Sequence, residues 1–220
     1  MGATPEAKAG GRINLLAVEE ALRRTQRLLG DAPDRDRLDD RVLGNLLAGY
    51  AYVDGLITAG IDPFALGHLK HLLEMNHLVL CGVSPERRAA YARHLEANER
   101  RFYGEDVAGV RDVVEWIAGH PGAPVAERAA GVYAMVLAQP QLFIEGNHRA
   151  GVLAMSYVLV RQGHPPFVLT PENAEAYFEI SAALRDTARH GPAIRFRLPA
   201  LVARLSGLLV EDAGRGHLIA

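Results

Sequence analysis

Residues 140 to 151 read Pro140-Gln141-Leu142-Phe143-Ile144-Glu145-Gly146-Asn147-His148-Arg149-Ala150-Gly151, and Glu145 to Arg149 are residue types that do chemistry together. The segment is a short loop that delivers the chain into a helix starting near Asn147. Such an N-terminus offers unpaired backbone N–H groups and a positive dipole end, which together attract an anion. Gly146 permits a left-handed backbone or a close approach. Arg149 adds a forked donor that matches phosphate oxygens. Glu145 is a candidate partner for a metal ion or a hydroxyl. A Gly-Asn pair before a helix is common, however, and these residues alone also fit a plain helix–helix connection.

Other chemistry-bearing residues point to simpler roles. His68, His71 and Glu74 are spaced by three on one helix, a conceivable metal face, but no second ligand pair accompanies them and a solvent-facing stripe fits as well. Arg87, Arg88, Arg93, Arg100 and Arg101 form a basic stretch with Tyr91 and Phe102 interleaved. Glu96, Glu99 and Glu105 offset it, as on a solvated, ion-paired helix. Cys81 is the single cysteine, which excludes an intrachain disulfide and a thiolate cluster. It reads as a buried, inert thiol.

The elements that must position the loop are almost all helical. At 220 residues, 49% apolar and 23% charged, the chain can bury one sizeable core. Its net charge of -2 draws it neither to nucleic acid nor to an acidic membrane. No stretch of 18 apolar residues exists and residues 1–12 carry no apolar leader, so a soluble, cytoplasmic protein is expected.

Leu15, Val18 and Leu22 mark an amphipathic helix over 14–29. Leu38, Val42, Leu46, Tyr50, Val53 and Ile57 mark a longer one. Asp62-Pro63, Ser84-Pro85 and Thr170-Pro171 each put a capping side chain before a proline, which predicts helices over 63–80, 85–101 and 171–188. Others are expected over 107–119, 125–139, 147–162 and 195–209. Residues 165–169 are the one extended apolar segment. The class is all-α. Residues 1–12 and 211–220 read as tails around an N-terminal helical region (13–83) and a core (84–210).

The loop resembles the signature of the Fic/Doc (Fido) family, His-Pro-Phe-x-Asp/Glu-Gly-Asn-Gly/Lys-Arg-x-x-Arg. Phe143, Glu145, Gly146, Asn147 and Arg149 stand at the matching positions. Val113 to Ile117, Ala126 to Leu137, Gly163 to Leu169 and Asn173 to Tyr177 resemble the surrounding family elements in consistent order over roughly residues 84 to 190. The resemblance implies a Fic-fold helical bundle with an additional N-terminal helical region. It also implies a nucleotide such as ATP with Mg as ligand, and a protein hydroxyl as target of adenylylation. Glu145 would then be the Mg ligand, and Gly146, Asn147, His148 and Arg149 the phosphate-binding residues.

The departures set the functional expectation. Gln141 occupies the position of the family's catalytic histidine, and an amide takes up no proton near neutral pH. Val152 stands where a second arginine is usual, and Leu142 where a proline is. His148 replaces glycine or lysine, with three roles open to it: a solvent-facing residue, an anion contact, or a substitute catalytic base. The inhibitory Ser/Thr-x-x-x-Glu pattern of the family is absent as well. The leading expectation is a degenerate Fic-domain protein that retains a phosphate- or nucleotide-type pocket and is weak or inactive in adenylylation. An active transferase using His148 and a structural interaction module are the alternatives.

Overall fold

The computed structural model of the chain describes residues 11–29, 38–104, 109–191, 194–210 and 212–219. They form ten helices: α1 (Leu15–Leu29), α2 (Asp40–Thr58), α3 (Lys70–Cys81), α4 (Pro85–Ala90), α5 (Ala92–Tyr103), α6 (Arg111–Gly119), α7 (Val125–Leu137), α8 (Asn147–Arg161), α9 (Ala174–Arg185) and α10 (Ile194–Val210). The expected all-α class is what is found.

The organising pair is α7 and α8. Every residue of α8 from Ala150 to Val160 is buried, and so is Ala129 to Leu137 of α7. Helices that are apolar all round must sit inside a layer of others. Here α2 and α3 pack on α8, while α6 and α10 pack on α7. The expected N-terminal region is thus in direct contact with α8, and one apolar cluster runs from Ile13 to Leu205.

Two of the three expected proline starts differ. Ser84 does cap α4, accepting from Arg87 N at 3.3 Å. Asp62 Oδ1 instead accepts from Phe64 N at 3.0 Å, a turn closed two residues on, and the helix begins only at Lys70. Thr170 and Asn173 bond each other in both directions, at 2.9 and 3.4 Å, and this turn delays α9 to Ala174. The helix expected over 85–101 is divided at Tyr91.

The chain end expected as a tail folds back. Residues Asp212–His217 make a 3-10 turn, and β2 (Leu218–Ile219) pairs antiparallel with β1 (Arg12–Ile13). The tail expected over residues 1–12 lies outside the described residues up to 10. Asp54 of α2 ties this ribbon down, accepting from Arg12 Nε at 2.9 Å and from Ile13 N at 2.8 Å. Burial opposes ionisation of Asp54, but these bonds outweigh it and hold its pKa below the usual aspartate value of 3.8. The stability it contributes is therefore complete above that value and lost as pH falls through the depressed folded one. An Asp54→Asn variant is expected to unfold in acid with a shallower pH dependence, read by circular dichroism across a pH series.

Gly131 sets the approach of α6 to α7. A Cβ there would lie 1.8 Å from Cε2 of Trp116, a rigid indole whose Nε1 donates to Arg128 O at 3.3 Å. Gly131→Ala is expected to destabilise the protein by about 1–3 kcal/mol through overpacking. Urea unfolding of the variant should show the reduced midpoint.

Candidate functional site

The α7–α8 connection leaves one buried helix and enters another, so side chains must bond its backbone. Arg101 Nε donates to Gln141 O at 2.9 Å. Asn147 turns its carboxamide back onto the loop: its Oδ1 accepts from Phe143 N at 2.8 Å and its Nδ2 donates to Phe143 O at 2.9 Å. Phe143 itself stacks on Phe102 of α5, with ring centroids 5.6 Å apart.

Two fully buried asparagines hold the next residues. Asn98 Oδ1 of α5 accepts from Ile144 N at 2.7 Å. Its Nδ2 donates to Asn76 Oδ1 of α3 at 3.0 Å, and Asn76 Nδ2 donates to Glu145 O at 2.8 Å. The motif's one backbone inversion follows. Gly146 adopts φ +79°, and a Cβ on it would lie 2.9 Å from Asn76 Nδ2. Only glycine meets both demands. As N-cap of α8 it brings no side-chain cap, so the first turn of α8 keeps the donor character of a helix N-terminus.

Of the sequence-predicted site residues, Glu145, His148 and Arg149 line two cavities, whereas Gly146 and Asn147 line neither. One of about 340 Å³ is lined by Asp39, the N-cap of α2, and by Arg41 and Asn45 of α2 with Glu145 and Arg149. The other, of about 390 Å³, is lined by His148, Arg149 and Val152 of α8 with residues of α1, α2 and α9. Arg149 belongs to both. Its Nη1 donates to Val79 O at 2.8 Å, and its buried Nε meets no acceptor among the described residues. Gln141 lines neither cavity; its Oε1 accepts from Asn147 Nδ2 at 3.3 Å.

Glu145 and His148 are therefore not brought together. The Glu145 carboxylate is more than half exposed and lies 3.6 Å from His94 Nε2. His148 Nδ1 lies 3.1 Å from the hydroxyl of Tyr133, which donates to Tyr177 and pairs with Ser181 Oγ, each at 2.8 Å. Burial, with Tyr177 beside it, pushes the Tyr133 hydroxyl well above the ordinary tyrosine range, so it stays neutral. Among the described residues no group of three His, Cys, Asp or Glu is placed to hold a metal ion, the His68–His71–Glu74 face included.

Sequence reasoning missed Asn76, Asn98 and Arg189, whose buried guanidinium donates to Met135 O at 2.9 Å and to Pro140 O. Asn76 had a signal: it interrupts the apolar stripe Leu72, Met75, Val79 of its helix.

No protein-family model matches the chain. Its structure is similar to that of a Fic domain containing signaling protein from Bacteroides thetaiotaomicron, with a TM-score of 0.50 and 18% identity over 89% of this chain and 80% of that one. Fic-1 from C. elegans matches at a TM-score of 0.44 and 17% identity, over 89% of this chain and 59% of that one. At its level of identity the first likeness shows the fold, which is the all-α Fic fold.

Asn98→Ala should cost about 1–3 kcal/mol, because it strands the Ile144 N–H and one Asn76 group in the interior. Combined with Asn76→Ala, the loss is expected to be less than the sum of the two, measured as a double-mutant cycle by urea unfolding.

Proposed function

We propose that this Fic-fold protein binds a phosphate-bearing ligand of the nucleotide type at the N-terminus of α8 and is weak or inactive in protein adenylylation. The observation that carries the reading is the separation of Glu145 from His148. A substitute base would have to work in the cavity that Glu145 lines, yet His148 lines the other one and bonds Tyr133.

Gln141, at the position of the family histidine, is held against Asn147 and offers an amide that takes up no proton. In adenylyl transfer a protein hydroxyl oxygen attacks the α-phosphorus, pyrophosphate leaves, and the hydroxyl proton passes to a base. Loss of that base costs about 10²–10⁴-fold.

Binding has its own support. The first turn of α8 is not capped by a side chain, and Arg41, Asn45 and Arg149 supply donors in the cavity beside Glu145. A Mg ion fits such a site only as one carried by the ligand's phosphates, with Glu145 as its single protein carboxylate from the loop.

Titration with ATP and Mg, followed by thermal unfolding, should raise the Tm of the wild-type protein and not of Arg149→Ala. Incubation of a cell lysate with labelled ATP should leave targets unlabelled by the wild type and labelled by Gln141→His. No shift with any nucleotide would sink the pocket. Wild-type labelling that disappears in His148→Ala would establish the active transferase instead.

A further inference from the structure

The larger cavity has a chemistry of its own. Its walls are apolar over Leu22, Leu46, Val152, Leu169 and Phe178, and its volume of about 390 Å³ is that of a small-molecule site. Among the described residues no carboxylate lines it, whereas Arg149 and Arg185 both do.

Among the described residues neither guanidinium has a charge partner. Arg149 gives Nη1 to the neutral carbonyl of Val79. Arg185, exposed at the last position of α9, makes no ion pair among the described residues. Two cations that meet no carboxylate among the described residues, beside an apolar wall, select a ligand with two parts. The apolar body gains from leaving water, by about 25 cal/mol per Å² buried. The head must be an anion, since a forked donor binds a carboxylate with charge-assisted hydrogen bonds. A cation would meet like charge, and a fully polar anion would leave the wall wet.

We infer that this cavity binds an amphipathic carboxylate, an apolar chain with one anionic head. Arg149 and Arg185 hold the head, and the body lies along Val152 and its apolar neighbours. The site shares Arg149 with the smaller cavity, but its apolar wall and Arg185 are its own and do not depend on the nucleotide reading.

The test is calorimetric titration of the full chain at low salt with decanoate, decyltrimethylammonium and 1-decanol. Decanoate is expected to bind saturably at one site, and decyltrimethylammonium about ten-fold more weakly or not at all. Arg185→Gln should weaken decanoate about ten-fold, the loss expected for one charged hydrogen bond, and leave 1-decanol unchanged. Ala182→Phe, on a half-buried position of the same wall, should abolish binding of both while the thermal unfolding transition is kept.

Both variants should retain the wild-type response to ATP and Mg, so failure of this site and failure of the nucleotide site are read separately. The inference is overturned if decanoate does not bind, if decyltrimethylammonium binds equally well, or if Arg185→Gln leaves decanoate affinity unchanged.

Discussion

The connection between α7 and α8 is the constraint on which the rest depends. Both helices are buried along their length, so the chain between them makes its turn where water does not reach every peptide group, and each such group needs a protein partner. The partners are recruited from far along the chain. Arg189 takes the carbonyls of Met135 and Pro140, Arg101 that of Gln141, Asn98 the N–H of Ile144 and Asn76 the carbonyl of Glu145. Four side chains, from α3, α5 and the segment after α9, thus converge on one loop and fix where Glu145 and Gly146 stand. Burying Arg189 for this purpose is costly: desolvation lowers its pKa, and Asp112 at 3.4 Å offsets part of the loss. A loop held so tightly presents its remaining backbone donors in one geometry.

What was legible in the sequence was local. Glu145, Gly146, Asn147 and Arg149 lie within five residues, and their types alone announce a loop running into a helix N-terminus. The apolar spacing of Leu15, Val18 and Leu22 likewise announces a helix, because burial follows from position along a single element. Asn98 and Asn76 are 22 residues apart and serve a loop about 46 residues further on. No local pattern joins them. Two of the three proline starts failed for a related reason. A Ser, Thr or Asp before proline can cap a helix or close a turn, and the choice rests on which N–H the side chain reaches. Ser84 reaches the third residue on and Asp62 only the second.

Helical periodicity then explains how one short signature comes to line two cavities. His148 and Val152 are four apart on α8, hence on one face, and both line the larger cavity. Glu145 precedes the helix, on the far side of the left-handed residue Gly146, and lines the smaller one. Arg149, adjacent to His148 in the first turn, has the reach to line both. The two departures within α8 from the family signature, at positions 148 and 152, therefore fall on the same wall. Glu145 and Arg149, which match the signature, meet in the other cavity. Val152 stands on a wall that Leu22, Leu46, Leu169 and Phe178 make apolar, and is in keeping with its neighbours. The imidazole of His148 is accommodated because Tyr133 meets its Nδ1 from α7. His148 and Val152 thus share one face of α8 with the apolar residues of the larger cavity, while Tyr133 satisfies the one polar group they bring.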